Sequence, residues 1–220
     1  MYKYTNRTAM LHIDKVSKSY LDAGKPRYIL DDVNLRLEQG CSVSIQGASG
    51  SGKSTLLKIA AGLVEADGGE RFVKPGTSWR YLPQAPDLSK YATVDAYVRD
   101  GLVGADDGAR IPYLLDALGL TGREDPAHMS GGEIRRAALV RTLAPEPDIL
   151  MLDEPTNHLD LPAIEWLEGE LASMSAALIL ISHDRRFLES LSQRTVWMDR
   201  GETRELDKGF AHFEDWRDEV

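Results

Sequence analysis

Apolar and polar residues alternate from Met10 to Val16 and again through Val33, Leu35 and Leu37, and each stretch predicts a strand. A Gln39-Gly40 turn separates the second from Val43 and Ile45, a further strand that runs into a glycine-rich loop. From Ser54 to Leu63 the apolar residues crowd together as in a helix. Short strands are predicted at Arg71–Lys74 and Trp79–Leu82. Residues 93 to 122 change character. There Val94, Tyr97, Val98 and Leu102, then Leu114, Leu115 and Leu118, recur at helical intervals and predict a small helical insert. After Ser130 come a helix, a strand over 148–152, a helix over 161–173 and the strand Ala176–Ile181. A helix over 184–192 and the strand Thr195–Met198 complete the pattern. Strands alternating with helices predict an α/β fold with a mostly parallel sheet covered on both faces.

The 220 residues fit one domain with a smaller subdomain, and 42% hydrophobic residues suffice for a packed core. No apolar run approaches the roughly 20 residues of a membrane helix. The first eight residues carry no apolar stretch like that of a signal peptide. These features predict a soluble, cytoplasmic protein with no direct membrane insertion. Cys41 is the only cysteine, which suits a reducing compartment, and it reads as a small buried hydrophobe in a strand over 41–45. A net charge of −9 disfavours a general or sequence-specific nucleic-acid surface. Residues 1–9 read as an extension, and no linker or repeat divides the chain.

The loop Gly47-Ala48-Ser49-Gly50-Ser51-Gly52-Lys53-Ser54-Thr55 fits the pattern Gly-x4-Gly-Lys-Ser/Thr between a strand and a helix. Glycines let successive N–H groups converge on phosphate oxygens, and the following helix adds its positive N-terminal end. Lys53 has the length to reach β- and γ-phosphates, and the Ser54 hydroxyl can ligate Mg²⁺. The loop predicts a phosphate site.

A second oily run, Ile149-Leu150-Met151-Leu152, ends in Asp153 and Glu154 side by side. Two adjacent carboxylates resist burial unless paired, so the plain reading is an acidic turn stopped by Pro155. The phosphate loop changes that. In phosphate-loop ATPases a second strand ends in an Asp that supports magnesium. Asp153 suits that role, and Glu154 is placed to polarise a water attacking the γ-phosphate. No Cys/His cluster has metal-site spacing, leaving Mg²⁺ as the metal implied.

Met129-Ser130-Gly131-Gly132-Glu133, followed by Ile149-Leu-Met-Leu-Asp-Glu-Pro-Thr156, resembles the ATP-binding cassette (ABC) family from about Met10 to about Gly201. The resemblance implies an ATP hydrolase with a mostly parallel core sheet, an antiparallel β-subdomain and a helical subdomain near 86–135, ahead of a tail at 202–220. It implies that Tyr20, or else Tyr28, stacks on adenine, and that Gln84 touches Mg²⁺ and the attacking water. His183, after the strand ending at Ile181, matches a switch histidine that contacts the γ-phosphate. His12, His128 and His212 match nothing. Ser130-x-x-Glu133 is also a capping box for the helix it opens. In the family that helix start faces a γ-phosphate on a second cassette, and Asp160 lies at the seam.

Asn157-His158-Leu159-Asp160 and Ser182-His183-Asp184-Arg185-Arg186-Phe187-Leu188 resemble the ABC-F branch, soluble ATPases that act on ribosomes. The segment Lys208–Trp216 resembles that branch too, or is an ordinary amphipathic helix. Against that branch stand a single cassette, a short insert without an extra arm, and the acidic charge. The alternative partner is a transmembrane transporter subunit, since a lone cassette of this length also resembles the ATP-binding subunit of a transporter.

Overall fold

The computed structural model describes residues 9–102 and 108–219; the extension expected at residues 1–8 lies outside them, as do residues 103–107 of the insert. Strands β1 (Ala9–Asp22) and β2 (Lys25–Glu38) form a long antiparallel hairpin. Ala9 thus belongs to a strand and not to the extension. Strand β4 (Gly68–Val73) pairs with the other edge of β1, giving a three-stranded sheet in the order β2-β1-β4.

The second sheet has six strands: β3 (Ser42–Gly47), β5 (Trp79–Leu82), β6 (Ile149–Asp153), β7 (Ala177–Ile181), β8 (Arg194–Asp199) and β9 (Glu202–Leu206). Their order is β5-β6-β7-β3-β8-β9, with every pair parallel except β8–β9. Both faces are buried, as a parallel sheet requires. Ile149, Met151, Ile179 and Ile181 pack with helix α1 (Lys53–Ala60) and the three-stranded sheet. Leu150, Leu152, Leu178 and Leu180 join the other core. That core also takes in helices α2 (Val94–Asp100), α3 (Ile111–Ala117) and α4 (Gly131–Leu143). It extends to α5 (Leu161–Ser173), α6 (Arg185–Leu191) and α7 (Phe213–Glu219).

Helix α1 ends three residues before the expected Leu63. Gly62 takes φ 73°, and the Leu63 N–H closes back on the Lys58 carbonyl, a helix stop that only glycine adopts cheaply. Cys41 precedes β3 and is half-buried, so it is less enclosed than its pattern predicted; burial pushes its thiol pKa up. Residues beyond Gly201 are integrated into the fold. Strand β9 completes the sheet edge, and Phe210 and Phe213 are core residues packed with Trp197 and Trp216.

The order β6-β7-β3 makes the C-terminal ends of three parallel strands neighbours. In open α/β sheets ligands bind outside those ends. All three expected loops begin there.

Candidate functional site

The Gly47–Gly52 loop leaves β3 and turns into α1 through Gly52, at φ 97°. A side chain at Gly52 would place its Cβ 2.9 Å from the Ile29 carbonyl, so the loop passes flush against β2 only as glycine. No side chain caps α1, leaving its first N–H groups directed at whatever the loop holds. The Lys53 ammonium folds back over the loop and donates to the Gly47 and Ala48 carbonyls, both at 2.8 Å. Burial lowers the Lys53 pKa, opposed by the carboxylates of Glu154 and Asp153.

A cavity of about 380 Å³ opens over this loop. Ser49, Gly50, Gly52, Lys53, Ser54 and Thr55 form its floor. Gln84, Asp153, Glu154 and His183 line it from β5, β6 and β7, and Tyr20 closes it from the β1–β2 hairpin. Tyr28 is not in the lining, so of the two tyrosines Tyr20 is the one brought to the site. Gly47, Ala48 and Ser51 shape the loop but do not face this cavity.

Asp153 is 1% exposed at the end of β6. One oxygen, Oδ2, lies 3.4 Å from the Tyr81 hydroxyl, while Oδ1 is buried without a hydrogen-bond partner. An unpaired buried carboxylate oxygen, on a residue that lines the same cavity as Ser54 and Gln84, fits a hard, oxygen-seeking cation such as Mg²⁺. Among the described residues no cluster of three His, Cys, Asp or Glu forms a separate metal site.

Glu154 takes φ 52°, and its N–H bonds the Ile181 carbonyl at 2.8 Å, which pins the turn to the end of β7. Its carboxylate is buried, accepting from the His183 N–H and lying 3.3 Å from His183 Nε2. Burial raises the Glu154 pKa, opposed by His183. The exposed His183 ring thus tops a buried acid. A left-handed, buried glutamate is strained unless its surroundings hold it, and such strain concentrates at working sites.

Ser130-Gly131-Gly132-Glu133 does not line this cavity. The capping box is formed: Ser130 Oγ accepts from the Glu133 N–H, and Glu133 Oε2 accepts from the Ser130 N–H at 2.8 Å. Capping alone leaves two weak helix formers unexplained, and the packing accounts for one of them. A Cβ on Gly132 would meet the His158 carbonyl at 2.8 Å, whereas Gly131 has only ordinary contact with the His158 ring. Asp160 caps α5 through the Ala163 N–H and lies 3.9 Å from Arg136 of α4, so its shown role is structural. Replacement Gly132→Ala should cost about 1–3 kcal/mol from overpacking, lowering Tm by several degrees, while Gly131→Ala should leave Tm nearly unchanged. Equal melting temperatures for the two variants would contradict this packing.

The profile of the ABC transporter family matches residues 30–157, more than half of the chain. This chain belongs to that family.

The ATP-binding protein Uup of Caulobacter vibrioides is 46% identical over 200 residues, covering 90% of this cassette and 32% of the relative. The energy-dependent translational throttle protein EttA of Mycobacterium tuberculosis H37Rv is 33% identical over 227 residues, covering 85% and 40%. The chain therefore spans less than half the length of these curated relatives. A solved ATP-binding subunit of an ABC transporter superposes with TM-score 0.80 at 26% identity, covering 90% of each chain. A dimeric, post-hydrolysis ATP-binding cassette bound to ADP and Pi superposes with TM-score 0.76 at 26% identity, covering 90% of this chain and 98% of that one.

Four residues in or beside the site escaped the sequence reading: Ile29, Ile181, Tyr81 and Arg135. Ile29 supplies an apolar wall beside Tyr20, and Ile181 adds a second apolar lining residue. Tyr81, whose pKa burial and then Asp153 push upward, donates to the Asp153 carboxylate. Arg135 is 2% exposed beneath Asp153 and Glu154. Its signal was available: it lies on the same face of α4 as Ala138, Leu139 and Leu143, where a charge is out of place.

Proposed function

We propose that this cassette binds and hydrolyses ATP between two copies arranged head-to-tail, and that closing and reopening of the pair is its mechanical output. The observation that carries the reading is the single cavity in which Lys53, Ser54, Gln84, Asp153, Glu154 and His183 converge at the ends of adjacent strands. Tyr20 stacks on adenine. The loop N–H groups and Lys53 hold the β- and γ-phosphates. Ser54, Gln84 and Asp153 hold Mg²⁺, which offsets phosphate charge when bound. Glu154 takes a proton from the attacking water, and His183 orients glutamate, water and γ-phosphate. Ser130 to Glu133 sits outside its own cavity, as a surface offered to a second cassette's γ-phosphate would, and the dimeric solved relative supports this pairing.

The proposed partner is the ribosome, which makes the cassette ABC-F-like and cytoplasmic. Asn157–Asp160 and the likeness to a translational throttle protein support this reading. The likeness to a transporter's ATP-binding subunit supports a second one, in which a membrane-spanning partner docks beside Gln84. Among the described residues no helix is long and apolar enough to cross a membrane, so that partner would supply the spanning segments. A lysate carrying the Glu154→Gln form, fractionated with ATP and Mg²⁺ at two salt concentrations, tests both. The ribosomal reading expects recovery with ribosomes that weakens steeply as salt rises, because phosphate contacts release counterions. Recovery only with membranes would overturn it.

A further inference from the structure

We propose that Arg135 is a positioning residue for hydrolysis, a buried guanidinium fork that ties α4 to both the glutamate-bearing turn and the glutamine-bearing loop. The inference rests on the reading of Glu154 as the base. Among the described residues Arg135 forms no salt bridge; its hydrogen bonds all go to backbone carbonyls, while the nearby Asp153 and Glu154 carboxylates attract it through space. Nη2 donates to the carbonyls of Asp153, at 2.6 Å, and Glu154, and Nε donates to that of Pro155 at 3.4 Å. Nη1 donates to the Pro83 carbonyl at 2.5 Å and reaches that of Gln84 at 3.5 Å. One side chain therefore holds three consecutive residues at the end of β6, Asp153 to Pro155, and two after β5.

A charge so enclosed is an expensive way to fill space. Burial lowers the Arg135 pKa to about 10, so the group remains charged at neutral pH. Apolar residues of α4, including Ala137, Leu139 and Val140, already anchor the helix in the core. What a fork adds, and apolar packing cannot, is direction. It fixes the peptide planes flanking Glu154, whose φ of 52° needs external support. It holds the Gln84 backbone in the same grip. The N-terminal turn of α4 carries Ser130–Glu133, the surface proposed to meet a second cassette. Any shift of that turn reaches the base and the glutamine through one rigid side chain. Arg135 is absent from the cavity lining, so it acts through those residues and not on the nucleotide.

The test compares Arg135→Lys and Arg135→Gln with wild type. Calorimetry with ATP and Mg²⁺ counts competent sites and gives Kd, steady-state phosphate release gives kcat per competent site and KM, and Tm reports folding. The expected result is Kd and KM within about twofold, with kcat per site down at least about tenfold in both variants, since a small misplacement of a reacting group is that costly. Lysine keeps the charge without the fork and should not rescue. A kcat per site within twofold of wild type, whatever happens to Tm, would overturn the proposal by reducing Arg135 to a stabilising contact. Loss of ATP binding in both variants would overturn it too, making Arg135 a support of the whole fold. Glu154→Gln measured alongside separates the two readings. A normal rate there removes the glutamate's role, whereas a dead Glu154→Gln beside fully active Arg135 variants removes only Arg135's.

Discussion

Replacing Glu154 by Gln should leave ATP affinity within a few-fold of wild type and cut turnover by at least roughly 10². The substitution keeps the side chain's volume and one carbonyl oxygen, so the His183 N–H still has an acceptor. What disappears is the negative charge facing the cavity beside His183. That charge is sheltered. The side chain is buried, its backbone is pinned to Ile181, and the raised pKa gives it more proton affinity than an exposed glutamate. Neutral glutamine offers the attacking water a hydrogen bond but takes no proton. Phosphate release against protein concentration, with calorimetric affinity alongside, checks both halves. Unchanged turnover would exclude Glu154 as the base.

The second large effect is expected at Lys53. Its ammonium reaches the Gly47 and Ala48 carbonyls across the mouth of the loop, where β- and γ-phosphates would lie. Charge-assisted hydrogen bonds are worth about 1.5–3 kcal/mol each, so Lys53→Ala should raise the Kd for ATP by at least about 10². The same variant should barely change Tm. Lys53 is partly exposed, and its contacts with the two carbonyls lie part-buried and exposed, where water can replace the lost ammonium. Affinity and melting together separate a lost phosphate contact from a broken loop. Wild-type affinity in Lys53→Ala would remove the assignment.

The parts of the fold that sequence reveals are those where burial dictates residue type. Strands β6 and β7 are buried along their whole length and read as continuous apolar runs. The ends of β1 and β2 and all of β9 did not stand out, because segments such as Lys25–Tyr28 and Glu202–Leu206 are largely exposed and polar. Their strand state comes from backbone ladder hydrogen bonds, which depend little on side-chain type; even Pro26, which has no N–H to donate, is paired with Leu21 in this ladder. The site divides in the same way. Lys53, Asp153, Glu154 and His183 sit at motif positions whose chemistry constrains the residue. The packing of His158 against Gly132 and the reach of Arg135 into two loops depend on how α4 lies over β6, which no local pattern encodes. Tyr20 pairs with Arg27 and Tyr28 with Ser19 near the hairpin tip, and Tyr20 alone of the two lines the cavity over the loop, a difference no local pattern marks.

The central claim is that two copies of this cassette close on ATP, each presenting Ser130–Glu133 to the other's phosphate loop. Light scattering on purified Glu154→Gln tests it most directly, with Mg²⁺ present and with ATP, ADP or no nucleotide. The account predicts twice the monomer mass with ATP alone, and loss of that dimer when Ser130→Arg blocks the contact without touching the protomer's own cavity. A Glu154→Gln protein that binds ATP at full affinity and stays monomeric at every concentration would contradict it.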